Sequence, residues 1–181
     1  MTNQKLGFFT AAALGFGALV SVLVSSGTVL SLLTQALIFA MFALGVGLLL
    51  RQNGLVSFGH ALFFGSTGYA VGLILQSQTM PAELAIVLTL AGVALIAFGM
   101  GLVMVRVPGV AFGMLTLAVG QMFFLTASRS RGLTGGADGM NIDWPSSLFG
   151  LPLSVLLKPV NMFLVCWLSL VLVMLLLTLL L

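Results

Sequence analysis

Six long apolar runs, separated by short polar or glycine-containing breaks, constrain this sequence more than any motif in it. An α-helix rises about 1.5 Å per residue, so about 20 residues cross the roughly 30 Å hydrocarbon core of a membrane. The runs are Leu6–Val24, Val29–Leu50, Leu55–Leu75, Leu84–Val105, Val110–Ala127 and Val160–Leu181. They predict an all-α integral membrane protein with about six transmembrane helices.

Composition excludes a soluble domain. Hydrophobic residues make up 61% of the chain and charged residues only 5%, whereas a soluble domain has about 25% charged residues. The basic residues are Lys5, Arg51, Arg106, Arg129, Arg131 and Lys158. They are scattered at the edges of apolar runs, so we expect contact with lipid and no nucleic-acid partner. Because they divide equally between the two sides of the membrane, their distribution predicts no orientation.

The residues that usually carry catalysis or bind metals are sparse and dispersed. Cys166 is the only cysteine and His60 the only histidine, and the carboxylates Glu83, Asp138 and Asp143 form no recognisable catalytic pair. The sequence therefore predicts no enzyme, no metal site and no cofactor. Nothing resembles a nucleotide-binding loop, so any ATP-driven step must come from a partner. Apart from His60 the spans have no ionisable group, which favours a passive pathway powered from outside.

The Asn53-Gly54 dipeptide predicts a turn at Arg51–Gly54, ahead of the third apolar run. That run, together with the Gly54 before it, is irregular and predicts a broken helix. Five glycines, Gly54, Gly59, Gly65, Gly68 and Gly72, each weaken a helix by about 1 kcal/mol relative to alanine. Non-helical backbone at membrane depth is tolerated only where it is buried in protein or lines a cavity. We interpret Gly68 and Gly72 as a small-xxx-small packing pair. For the polar stretch from Asn53 to His60, lining of a substrate path and a purely structural role both remain open.

The candidates for a substrate path come from the third and fifth runs. They are Asn53, Ser57, His60, Thr67, Thr116 and Gln121. His60 is suited to proton relay in principle, but without an acidic partner nearby it is explained more simply by a hydrogen bond to a backbone carbonyl. Gln121 must find a partner either across helices or toward a pore.

A non-apolar segment at residues 128–159 is predicted to form an extended loop beside a single transmembrane domain covering residues 1–181. It carries a glycine-rich motif with the residues Thr134, Gly135, Gly136, Asp138 and Gly139. The segment lacks the Gly-Lys-Ser/Thr ending of a phosphate-binding loop.

Three stretches between about residues 40 and 140 form a specific combination. They contain Gly54-Leu55-Val56-Ser57-Phe58-Gly59-His60-Ala61 with Gly65 and Tyr69, then Thr116-Leu117-Ala118 with Gln121-Met122-Phe123, then Leu133-Thr134-Gly135-Gly136 with Asp138-Gly139. Together they resemble the permeases of branched-chain amino acid ABC importers, and the LivM type above all. Related permeases of the same architecture that carry urea, short amides or sugars remain alternatives. From other classes, a small ion-coupled carrier and a structural membrane subunit also remain open.

The resemblance implies a multi-pass protein of the bacterial inner membrane. It implies a second, LivH-like permease subunit, two ATP-binding subunits and a periplasmic binding protein that delivers leucine, isoleucine or valine. The amino terminus would be cytoplasmic and the loop at residues 128–159 periplasmic. Family members continue into a basic cytoplasmic coupling segment, and no basic residue follows Lys158 here. We therefore expect this sequence to be the amino-terminal part of a larger permease.

Overall fold

The computed structural model describes residues 3–142 and 144–180, and helices make up most of them. Asp143 lies outside the described residues, as do Met1, Thr2 and Leu181. The helices are α1 (Asn3–Leu23), α2 (Gly27–Asn53), α3 (His60–Ser77), α4 (Ala82–Met104), α5 (Val110–Arg129), α6 (Arg131–Thr134), α7 (Leu153–Leu156) and α8 (Pro159–Leu180). A 3₁₀ turn covers Gly136–Asp138, and the short strands β1 (Ser147–Leu148) and β2 (Leu151–Pro152) pair.

Every one of the six apolar runs contains a long helix, which confirms the all-α membrane fold. Four of these helices are long and apolar enough to cross a membrane, namely Gly27–Asn53, Ala82–Met104, Val110–Arg129 and Pro159–Leu179. In α1 the apolar part is Thr10–Leu23. Helix α3 is not among these four, because the histidine, glycines and hydroxyls of the irregular third run, with Gln76 and Ser77 at its end, lower its mean hydropathy.

The third run is broken, as its glycines predict, but the non-helical backbone begins later in the chain than the expected turn. A turn was expected at Arg51–Gly54, and this was wrong, since α2 continues to Asn53. Gly54 then ends the helix at φ 63°, and its N–H donates to the carbonyl of Leu50 at 2.9 Å. A positive φ is accessible to glycine at little cost, which makes it the usual residue after a helix end. The chain from Gly54 to Gly59 is not helical, and α3 begins at His60.

The chain divides into two compact units, of which the first combines Met1–Leu44 with Leu151–Leu181. Within it α1 packs on α8, and the indole N–H of Trp167 donates to the carbonyl of Ala13 at 2.9 Å. Its buried core consists of Leu30, Leu37 and Phe163. Trp167 is half-buried with its N–H bonded, which is the usual arrangement for an aromatic side chain with one polar atom.

The second unit, Gly45–Gly150, contains the irregular third run and the glycine-rich fifth run. Helices α3 and α4 pack around a core of Leu75, Ala82 and Ala85, and Ala85 is fully buried. Near this core the carboxylate of Glu83 accepts a hydrogen bond from the N–H of Phe149 at 2.7 Å. All the features described next lie inside this unit.

Candidate functional site

The non-helical segment Gly54–Gly59, called the extended segment below, lies against helix α5. The N–H of Phe58 donates to the hydroxyl Oγ1 of Thr116 at 3.2 Å, and that hydroxyl donates to the carbonyl of Gly113 at 2.9 Å. Thr116 is only 5% exposed. A threonine on a membrane helix commonly bonds a carbonyl of its own helix, and here the same oxygen also satisfies an amide freed by the break.

Glycines on both sides allow the extended segment to approach α5 closely. A Cβ atom added at Gly59 would lie 3.0 Å from the carbonyl oxygen of Thr116, and one added at Gly113 would lie 3.2 Å from the carbonyl oxygen of Val56. Both neighbours are backbone atoms, which cannot rotate away as a flexible side chain can. The contact between the two backbones therefore requires glycine at these positions.

A cavity of about 190 Å³ lies beside the extended segment. Its described lining is Leu49, Ser57, Gly59, His60, Leu62, Phe63, Ala97, Met100, Gly101, Met104, Val105, Phe112, Thr116 and Val119. Only Ser57, His60 and Thr116 among these have polar side chains. The lining is mostly apolar with a few polar groups, which is the usual composition of a small-molecule site, and the volume is below the roughly 300–1,000 Å³ of such sites.

A second void of about 360 Å³ forms a groove between α3 and α5, called the α3–α5 groove below. Its described lining is Phe58, Ala61, Leu62, Gly65, Ser66, Tyr69, Leu117, Gly120, Gln121, Phe123, Phe124, Ala127 and Ser128. No charged side chain lines either void among the described residues. These residues also bring together no group of three or more His, Cys, Asp or Glu that could hold a metal.

The structure brings four of the six path candidates to these two voids. Ser57, His60 and Thr116 line the cavity, while Gln121 lines the groove. Asn53 and Thr67 line neither. Asn53 is exposed at the end of α2, and the hydroxyl of Thr67 donates to the carbonyl of Phe63 within α3 at 2.7 Å. A transport role for all six remains a prediction.

The two predicted packing glycines of α3 have different surroundings. A Cβ at Gly72 would lie 3.1 Å from Sδ of Met140 and 3.2 Å from the side chain of Ile142. Gly72 thus receives loop side chains rather than a neighbouring helix backbone. Gly68 has open space within 4 Å among the described atoms, so its packing role stays a prediction.

The glycine-rich motif after α5 forms a tight cap on that helix. The hydroxyl of Thr134 donates to the carbonyl of Ala127, and also to that of Ser130 at 2.9 Å. Three glycines have positive φ, at 72° for Gly135, 66° for Gly136 and 81° for Gly139. A Cβ on Gly135 would collide with the carbonyl of Gly139.

Asp138 of this motif is exposed. The geometry therefore explains Thr134 and the glycines by local folding, without a ligand.

Sequence patterns alone missed three groove residues, Ser66, Tyr69 and Ser128. A signal was present, because Ala61, Gly65 and Tyr69 are spaced four apart on α3, and residues at this spacing share one helix face. On α5 the groove residues Leu117, Gln121, Phe124 and Ser128 follow at spacings of four, three and four, which also keeps them on one face. The fact that these two faces oppose each other is not visible in either helix by itself.

Helices long and apolar enough to span a membrane define a multi-pass α-helical membrane protein. The sequence profile of one family, described as branched-chain amino acid transport system, permease component, matches residues 28–181. The chain therefore belongs to that family of ABC transporter permeases, which confirms the resemblance carried by its glycine-rich stretches. No curated protein and no solved structure matched the chain.

Proposed function

We propose that this chain is a permease subunit of an ABC importer and forms part of the path by which leucine, isoleucine and valine cross the bacterial inner membrane. The observation that carries the proposal is the extended segment, packed by Phe58 on Thr116 of α5 and bordering a cavity. Backbone amides and carbonyls facing lipid cost several kcal/mol each, so such a break is retained beside protein or a water-accessible path.

The chemistry of the cavity favours aliphatic amino acids over the alternative solutes of related permeases. Most of its lining is aliphatic or aromatic, including Leu49, Leu62 and Phe112, and no lining residue carries a fixed charge. Sugar and urea bind through many hydrogen bonds, for which the polar side chains Ser57, His60 and Thr116 are few. A solute with an apolar side chain and no net charge fits better.

The energy for transport is proposed to come from partner subunits. A span that drives transport by ion coupling normally carries an ionisable residue facing its path, and His60 is the only such residue beside the cavity. We infer two ATP-binding subunits, a second permease subunit and a periplasmic binding protein, because the family is the permease component of a transport system. ATP binding and hydrolysis would then switch the permeases between outward-facing and inward-facing states.

A structural subunit without a path is the second candidate from another class. It would need no break in the third segment, and a continuous helix satisfies backbone groups at lower cost. The retention of six non-helical residues between α2 and α3 favours the permease.

The test is uptake of radiolabelled solutes by the bacterium that carries the gene, before and after its deletion. We expect deletion to lower the uptake of leucine, isoleucine and valine, and a plasmid copy to restore it. Depletion of ATP should abolish the restored uptake. Urea and a monosaccharide serve as control solutes. Unchanged leucine uptake together with loss of urea or sugar uptake would overturn the proposed substrate and favour a related permease.

A further inference from the structure

We propose that the α3–α5 groove is a substrate-binding surface, in which Tyr69 and Gln121 bind the polar end of a small zwitterionic or neutral amphipathic solute. The inference rests on the proposed function and adds the groove to the cavity as a second place on the path where the solute binds. It adds Tyr69 to the binding residues and gives Gly65 the role of keeping the groove open.

Tyr69 and Gln121 differ from most polar side chains of the helices in their hydrogen bonding. Most helix hydroxyls elsewhere bond carbonyls of their own helix, such as Ser31 to Gly27, Thr126 to Met122 and Ser169 to Val165. The hydroxyl of Thr89, which lies in neither void, is an exception. Tyr69 and Gln121, by contrast, lie inside their helices and make no hydrogen bond to any described residue. A further unbonded amide, that of Gln35, lies on α2 in the other unit.

The side chains of Tyr69 and Gln121 line the same groove. An amide or phenol that faces hydrocarbon without a hydrogen bond costs about 2 kcal/mol or more. Two such groups on one surface of a membrane bundle favour a partner that can bond both of them. That partner is water, a polar solute or a polar group of another subunit, and lipid tails are excluded by the same cost. We assign the polar solute, and the second experiment below distinguishes it from a subunit.

The groove combines polar groups with an apolar wall. A carboxamide and a phenol each supply both a donor and an acceptor, so Gln121 and Tyr69 can bond a carboxylate and an ammonium together without adding charge. Phe58, Leu117 and Phe124 supply an apolar wall for an aliphatic side chain. The groove volume of about 360 Å³ is near the lower end of the roughly 300–1,000 Å³ of small-molecule sites.

Gly65 also lines the groove and has no close neighbour on its open side. A Cβ added there would meet nothing within 4 Å. A side chain at this position would therefore begin in open space beside the groove. A bulky substitution at Gly65 is therefore the means to fill the groove in a folded protein.

The first experiment measures leucine uptake by cells carrying Gly65→Leu in the full chain. We expect an uptake reduced on the order of tenfold at unchanged protein level in the membrane, because the leucine side chain occupies the groove. Gly92→Leu is the matched control, since a Cβ on this α4 glycine also meets nothing within 4 Å and Gly92 lines neither void. Normal uptake by Gly65→Leu would overturn the proposal.

The second experiment measures how fast a water-soluble thiosulfonate modifies cysteines introduced into a Cys166→Ala chain, which removes the only native cysteine. The cysteine thiolate, which forms in water and not in hydrocarbon, attacks the thiosulfonate, so that a mixed disulfide forms and a sulfinate leaves. In membranes from the producing cells, Gln121→Cys should react on the order of tenfold faster than Met122→Cys. Met122 is 66% exposed but lines neither void. Added leucine should slow modification at position 121.

The outcomes separate this inference from the proposed function. Equal, slow modification at positions 121 and 122 would mean that the groove faces lipid and would overturn the inference. Fast modification at position 121 that no solute slows would also overturn the inference. If position 121 reacts only in cells that lack the second permease subunit, the groove is an interface between subunits and the inference is overturned. If gene deletion leaves leucine uptake intact while another solute protects position 121, the groove stands and the proposed substrate falls.

Discussion

Thr116 joins the two irregular parts of the second unit through one oxygen atom. Its hydroxyl bonds the carbonyl of Gly113 and accepts the amide of Phe58. The residue type was predictable as a path candidate from its position in a span, but its partner was not. The amide comes from a segment 58 residues earlier in the chain, and no local pattern encodes that contact.

Thr116→Val is expected to destabilise the protein. Valine has nearly the same shape but leaves the amide of Phe58 without an acceptor, and an unpaired buried amide costs about 1–3 kcal/mol. The thermal midpoint of the detergent-solubilised protein should fall, and Thr116→Ser should retain most of the native midpoint because it keeps the hydroxyl.

Thr89→Val is the matched control, because Thr89 is equally buried at 5% exposure and its hydroxyl has no hydrogen-bond partner among the described residues. Removing an unsatisfied hydroxyl should leave the midpoint unchanged or raise it. Equal midpoints for the two valine variants would contradict the role assigned to Thr116.

Helices α4 and α5 look alike as sequence elements, since both are apolar and both contain glycines. In α4, Gly92, Gly99 and Gly101 meet nothing within 4 Å, whereas Gly113 of α5 meets backbone of the extended segment. Element type and approximate length follow from hydropathy in both helices. Which glycines are needed depends on what lies opposite them in space.

Gly113→Ala is expected to destabilise the protein, although alanine is the better helix former by about 1 kcal/mol. Its Cβ would press on the carbonyl oxygen of Val56 at 3.2 Å, and separating the backbones would weaken the bond from Phe58 to Thr116. Thermal unfolding in detergent and leucine uptake should both decline.

The comparison variant for Gly113→Ala is Gly99→Ala, which should unfold at the same temperature as the native protein or higher because its Cβ enters open space. A stability order with Gly99→Ala below Gly113→Ala would show that the extended segment does not require glycine on α5.

Orientation in the membrane is a property of the whole molecule that charge leaves undetermined. Lys5, Arg51 and Arg106 would lie on one side, and Arg129, Arg131 and Lys158 on the other. The positive-inside rule compares basic residues on the two sides, and three against three gives no preference. A cytoplasmic amino terminus is what the resemblance to the permease family implies, and it remains a prediction.

Labelling in intact cells tests this orientation in the Cys166→Ala chain. Ala137→Cys, at an exposed position of the 3₁₀ turn, should react with a membrane-impermeant maleimide from outside the inner membrane. Gln52→Cys, exposed at the end of α2, should react only after the membrane is permeabilised. The reverse pattern would place the amino terminus outside.

The sequence by itself determined the membrane class, the helices and the break in the third segment. These follow from local chemistry, because hydrocarbon requires an apolar surface with internally bonded backbone, and clustered glycines such as Gly54 and Gly59 lower helix stability wherever they occur. Only the tertiary structure decided that Phe58 meets Thr116, that Gly113 is a contact glycine, and that Tyr69 and Gln121 share one groove. Those facts depend on which helix faces lie opposite each other, and that is decided by packing between residues far apart in the chain.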